Sequence, residues 1–158
     1  MVFNNNYQKN SYSKNDKPDI ELNFIKDGFT GEKGNLREEL LTKEAQNIAR
    51  HLIKEDKLSN SQLRAFFNEV KAINNRLDDK KENFEKIYYM LLMLKSKIEY
   101  RASKQSDGKK MKGFKKFLTE SINYIQTENK AGKGYEAFKN FVIFFETVVG
   151  YCYGEGIR

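Results

Sequence analysis

The sequence predicts an all-α fold: one compact single-domain bundle of about five helices behind a flexible, polar N-terminal arm. Three observations predict it. Apolar residues recur at helical spacing in five separate stretches between Thr42 and Tyr153. The breaks between the stretches are short and built from turn-forming residues, such as Lys57–Asn60 and Gly132-Lys133-Gly134. A chain of 158 residues suits one domain with a real core and fits two independent domains poorly.

Residues 1–34 are rich in Asn, Ser, Lys and Gly, hold the only proline (Pro18) and sustain no period of 2 or 3.6. They read as an arm whose low hydrophobicity offers too little burial to offset the entropy of ordering. Residues 35–158 are then the helical domain. Ile20, Leu22 and Phe24 alternate and Phe29 follows, which leaves open a short strand or an extended peptide docking on a partner.

Ordered structure is expected from about Leu36. Thr42 is a candidate cap, followed by Ala45, Ile48, Ala49, Leu52 and Ile53 at helical spacing. After the turn at Lys57–Asn60, Ser59 and Gln62 have the spacing of a capping box, which satisfies two orphan backbone N–H groups reciprocally. Leu63, Phe66, Phe67, Val70, Ile73 and Leu77 share one face of that second helix, with Arg64, Asn68, Lys71 and Asn75 opposite. Asn74-Asn75 and Asp78-Asp79 end it.

The third helix spans about Glu82 to Ser103, with Phe84, Ile87, Tyr88, Leu91, Leu94 and Ile98 on its main apolar face. Its first half, Ile87–Leu94, is apolar around most of the circumference, as a helix buried among others must be. Its second half carries the stripe Lys97, Arg101, Lys104, with Tyr100 beside it. A loop at 105–110 precedes the fourth helix, which turns Phe114, Phe117, Leu118, Ser121, Ile122 and Ile125 inward and Lys112, Lys115 and Lys116 outward. Cations in a first turn oppose the helix dipole, so an external reason such as phosphate gains weight. The fifth helix runs from Tyr135 to Tyr153, with Phe144 and Tyr151 outside its core stripe and Gly150, Gly154 and Gly156 expected to terminate it. That aromatic excess points to a central buried helix or to a protein–protein contact.

Charge is the informative part of the composition. The formal net charge is +7, and residues 95–116 alone hold nine cations against Glu99 and Asp107. A local excess of this size suits a polyanion, because Lys and Arg that neutralise phosphates release condensed counterions. The alternative is a solvated surface that serves solubility.

Other classes are excluded. The single Cys152 allows no disulfide framework and no cysteine zinc site, which fits a reducing, cytoplasmic setting. The single His51 is expected on a polar face as a solvated side chain. No apolar run reaches the length of a membrane helix, and the N-terminus lacks the apolar core of a signal peptide. No Gly-rich phosphate loop, carboxylate cluster, HxxxH, CxxC or arranged nucleophile is present, so the reading includes no catalytic residue, no metal ligand and no cofactor.

Three stretches in order, Leu58-Ser59-x-Ser61-Gln62-Leu63-Arg64-x-Phe66-Phe67-x-Glu69-Val70, Leu94-Lys95-x-Lys97-Ile98-x-Tyr100-x-Ala102, and Tyr135-x-x-Phe138-x-x-Phe141-x-x-Phe144-Phe145-Glu146-x-Val148-Val149-x-Tyr151, resemble the small subunit of the type III-A (Csm-type) CRISPR effector complex. The resemblance covers about residues 42–153. It implies a helical, non-catalytic RNA-binding subunit that stacks in several copies beside the backbone subunits holding the guide RNA. It further implies bridging toward the polymerase-like large subunit and lining of the channel for target RNA. RNA cleavage would then belong to the backbone subunits, and DNA cleavage and cyclic oligoadenylate synthesis to the large one. Carried onto this chain, Arg64, Lys71, Lys95, Lys97 and Arg101 would face the guide–target duplex. Contacts to phosphate and sugar suit a subunit that accepts any guide. A stand-alone helical nucleic-acid-binding module and a pure protein–protein scaffold remain as alternatives.

Overall fold

The computed structural model describes residues 18–104 and 111–158. The described chain is all-α: α1 (Phe24–Asp27), α2 (Ala45–Lys54), α3 (Asn60–Leu77), α4 (Phe84–Ser103), α5 (Lys112–Lys130) and α6 (Gly134–Gly154). No strand forms among the described residues, only an isolated bridge between Thr30 and Leu36. The five long helices match the five predicted stretches. The predicted loop at 105–110 and residues 1–17 of the arm lie outside the described residues.

Helices α3, α4, α5 and α6 pack as a ring, each against the next, and α2 lies across α6 and α5. Phe114, Phe117, Phe138, Phe141, Phe144 and Phe145 fill the interior. Phe117 meets Phe141, Phe144 and Phe145 at ring-centroid distances of 5.5–6.5 Å. Such tilted and edge-on contacts add to the burial energy of the rings.

The segment 18–34 departs from the expected arm. Ile20, Leu22, Phe24 and Phe29 are buried in the same core as the helices. Phe24 and Phe29 both pack at 5.7 Å from Phe144, and Phe29 lies 4.2 Å from Tyr124. This segment therefore covers the aromatic surface of α6 that the sequence left over. Phe144 is fully buried by the chain's own N-terminal side.

Two buried carboxylates fix this packing. Glu44 accepts the backbone N–H of Phe24 at 2.7 Å and pairs with Arg37 at 3.0 Å, while Arg37 also donates to the Gly28 carbonyl at 2.8 Å. Asp56 accepts the N–H of Gly113 at 3.1 Å and of Phe114 at 2.8 Å, so it caps α5 from the end of α2. A carboxylate there complements the positive end of the α5 dipole. Of the three cations Lys112, Lys115 and Lys116, two have internal partners as well: Lys112 pairs with Asp19 at 3.0 Å and Lys115 with Glu99 at 2.8 Å. An external anion is not required to explain those two.

Several local expectations change for the same reason, which is tertiary packing. Thr42 is not a cap; it lies in a π-helical turn, Leu40–Glu44, and its hydroxyl donates to the Glu38 carbonyl. His51 is not a solvated side chain. Only 13% of it is exposed, and its Nε2 lies 3.7 Å from Asp56 Oδ1 beneath the start of α5. Helix α6 continues through Gly150 and ends at Gly154, and Gly156 beyond it adopts φ +82°. The first half of α4 is not enclosed, because Tyr89 and Met93 face outward.

The α3 boundaries agree with the sequence. The Ser59 hydroxyl accepts the Gln62 N–H at 3.2 Å, and the Gln62 side chain accepts the Ser59 N–H at 2.9 Å. Asp78 and Asp79, at φ 51° and 50°, end the helix in the left-handed region where a short polar side chain is tolerated. No described helix is long and apolar enough to cross a membrane.

Candidate nucleic-acid interface

The capping box sets the first turn of α3, so Leu63, Phe66, Val70, Ile73 and Leu77 point into the ring and are buried. Phe67 is half-buried at the edge, stacked on Phe145 at 5.4 Å. Arg64, Asn68, Asn75 and Arg76 are left on the outside of α3.

Arg64 is held by neutral groups. Its Nε donates to the Tyr153 hydroxyl at 2.7 Å, and that hydroxyl donates to Asn60 Oδ1 at 3.0 Å. The guanidinium carbon lies 5.5 Å from the Tyr153 ring centroid. Lys71, on the same α6-facing side of α3, has its ammonium 4.0 Å from Glu146 and 6.0 Å from the Phe67 ring.

Lys97 reaches from α4 to α3 and donates to Glu69 at 3.0 Å. Arg101, one turn further along α4, is exposed. Lys95 takes the opposite direction. Its Nζ donates to Asn123 Oδ1 at 2.6 Å and Gln126 Oε1 at 3.0 Å, both on α5.

The five cations singled out in the sequence thus occupy three seams. Arg64 and Lys71 border α6, Lys97 and Arg101 border the α3–α4 seam, and Lys95 lies between α4 and α5. Four of them flank the outer face of α3, and Lys95 stands apart.

Two further cations join the α3 face. Arg76 lies over Met90, with Nη1 3.9 Å from the sulfur, and Lys139 donates to Asn74 at 3.0 Å and to Asp79. Arg76 lies about a third of a turn round α3 from Arg64 and faces α4 rather than α6; Lys139 sits 65 residues from Asn74 and carried no local signal.

The electrostatics separate these groups. An exposed ion pair leaves little net field beyond itself, whereas a cation held by amide or hydroxyl oxygens keeps its full charge. Lys71 and Lys97 belong to the first kind, Lys95 and Arg64 to the second. Chemically the arrangement offers oriented donors and positive charge for phosphate or sugar oxygens.

Nothing in the described residues adds a reaction centre. No group of three or more His, Cys, Asp or Glu that could hold a metal ion occurs among them. Cys152 is buried, and burial pushes its thiol from 9.0 to about 12, so it is a neutral packing group.

Compared with known proteins, residues 35–155 match the family model described as Csm2 Type III-A. No curated protein and no solved structure gives a match. The matched span is well over half of the chain and contains all five long helices and all five candidate cations.

Proposed function

The chain belongs to the Csm2 Type III-A family, the structural small subunit of the type III-A CRISPR effector complex, and from that premise we propose that it contacts the backbone of guide and target RNA without catalysis of its own. Several copies stack beside the guide-holding backbone subunits and bridge toward the polymerase-like large subunit, in the cytoplasm.

One observation supports the RNA contact beyond family membership. Lys95 is oriented by two amide oxygens of α5, and no ion pair to a carboxylate engages it among the described residues, so its charge is positioned without an acid partner there. Such a group neutralises a phosphate without first giving up an acid partner. Arg64, oriented by Tyr153, is a second group of the same kind. The candidate residues Lys71, Lys97 and Arg101 supply a broader positive border. None of these groups reads a base edge, which suits a subunit that must accept any guide.

Purification of the tagged chain from its own cells tests the reading. The expected result is recovery with RNA of defined length and with other subunits, while the isolated chain shows no cleavage of RNA with Mg²⁺ or Mn²⁺. Tight, salt-sensitive binding of RNA by the isolated chain with no co-purifying subunit would favour a stand-alone module instead. Recovery of protein partners without RNA would favour a scaffold.

A further inference from the structure

Helix α4 carries a feature that the ring does not use. Tyr89, Met93 and Tyr100 are exposed to 58%, 53% and 58%, and their spacing of four and seven residues keeps them on one outward stripe of the helix. Tyr89 and Tyr100 stand about 16 Å apart along the axis.

The two edges of this stripe differ in charge. One lies toward α3, as the contacts of Met90 with Arg76 and of Lys97 with Glu69 fix. It presents Arg76, Lys86, Arg101 and Lys104, all exposed, together with Lys97, which Glu69 occupies. The other edge lies toward α5 and presents the acids Glu85 and Glu99, of which Glu99 is offset by Lys115. Lys95 lies beyond that edge, against α5 itself. Lys104 ties the cationic edge to the ring, for its ammonium lies 4.2 Å from the centroid of Tyr100.

We propose that this face of α4 is a stacking platform for an unpaired RNA strand, whose bases lie on Tyr100 and Tyr89 while its phosphates follow the cations of the α3 edge. It rests on the RNA contact proposed above and adds that the strand is unpaired here, because a base inside a duplex has both faces covered by its neighbours. Aromatic rings beside a row of cations are the combination that holds single strands without sequence preference, since every base has a π-face. A base arriving over Lys104 displaces the ammonium from the Tyr100 ring, and the freed charge reaches the adjoining phosphate. Charge on one edge alone favours a strand over a protein. A single strand carries its phosphates on one side of its bases, whereas a protein partner would have to supply acids along that edge only.

The effector complex recovered with the tagged chain tests the proposal when it is given target RNA with 5-iodouridine inside and beyond the guide-paired stretch and exposed to long-wavelength light. Iodouracil couples to aromatic rings stacked against it. Coupling at Tyr100 or Tyr89, read by mass spectrometry, is the expected result. Tyr100→Phe keeps the ring and should behave like the parent. Tyr100→Leu should lose the coupling there and weaken RNA capture at least about fivefold, the low end for one stacked base. The slope of log affinity against log salt should stay unchanged in that variant, since no phosphate contact is lost, whereas Arg101→Ala should lower it by about 0.7. Circular dichroism should be the same for all three variants, because both positions are exposed. If Lys95→Ala weakens capture while neither tyrosine couples and Tyr100→Leu binds like the parent, the backbone reading stands and the stacking proposal falls. Recovery of the chain with its partner subunits and no RNA overturns both. A Tyr100→Leu chain that keeps its circular dichroism but no longer joins the complex makes the stripe a protein contact and overturns the proposal as well.

Discussion

The buried carboxylate of Asp56 accepts the backbone N–H of Phe114 at 2.8 Å, joining residues 58 positions apart. Through this contact the end of α2 supplies the cap that α5 lacks in its own sequence, for Met111 at the N-cap position makes no side-chain bond. Asp56→Ala leaves two helix-end N–H groups without their acceptor. The expected loss is about 2–4 kcal/mol, combining a missing cap with unsatisfied buried donors. Asp56→Asn keeps an acceptor and should lose less. Gly113 enters because a Cβ there would lie 2.7 Å from His51 Cδ2 and 3.1 Å from Asp56 Oδ1. Gly113→Ala should cost about 1–3 kcal/mol by overpacking. Urea midpoints at constant slope measure all three, and an Asp56→Ala variant as stable as the parent would show that the cap is dispensable.

The N-terminal segment yields the second prediction. Phe29 is fully buried between Phe24, Tyr124 and Phe144. Phe29→Ala should cost roughly 3–5 kcal/mol, the usual loss for a truncated core aromatic. Deleting residues 1–34 should lower the thermal midpoint by many degrees, the opposite of what a flexible arm would give. Ile25→Ala, at a side chain 53% exposed, should change little. Equal midpoints for Phe29→Ala and Ile25→Ala would mean that the segment does not pack in solution.

These two cases mark where the sequence was legible. Elements whose determinants lie within one helical turn were read correctly: the Ser59–Gln62 box, the buried faces of α3 and α5, and the Asp78-Asp79 stop. Contacts that join distant segments left no local trace. Asp56 looks like an ordinary surface acid until α5 arrives above it, and His51 looks exposed until the same helix covers it. Ile20, Leu22, Phe24 and Phe29 follow no single period because an irregular segment packs them, so pattern reasoning assigned them to an arm. The surplus aromatics of α6 were the missing half of that observation. For the candidate cations, sequence gave their helical faces but not their partners, which decide how much charge each one presents.

Cys152 gives a pH prediction. Burial raises its thiol to about 12, above the ordinary 9.0, so the folded state binds this proton more tightly than the unfolded chain does. The stability tied to that proton is present below pH 9 and is lost as pH rises from there toward 12. Parent protein should therefore lose more stability between pH 8 and 10.5 than Cys152→Ala does, on top of the titration both share. At neutral pH the thiol should resist iodoacetamide in the folded chain and react once denatured. Rapid alkylation of the native protein would contradict the burial.

The last prediction sets Lys95 against Lys97, two residues apart on α4 and held by different partners. Lys97 donates to Glu69 at 3.0 Å, so a phosphate approaching it meets an acid as well. Lys95 donates to Asn123 and Gln126, which leave its charge intact. If the small subunit contacts RNA through phosphate, Lys95→Ala in the reconstituted effector should weaken target-RNA capture and lower the slope of log affinity against log salt by about 0.7, the share of one phosphate contact on a single strand. Lys97→Ala should lower it clearly less. Glu69→Gln, which frees Lys97, should strengthen capture at low salt. All three effects should be alike for targets of unrelated sequence, because phosphate contacts carry no base information. Both lysine variants should keep the parent's thermal midpoint within a few degrees, since neither ammonium lies in the core. The reverse ranking, with Lys97→Ala severe and Lys95→Ala silent, would move the contact away from α5, to the side of α4 that carries Lys97 and Arg101 beside α3 with Arg64 and Lys71. Silence of both, in a complex that assembles normally, would leave these cations as solvated surface.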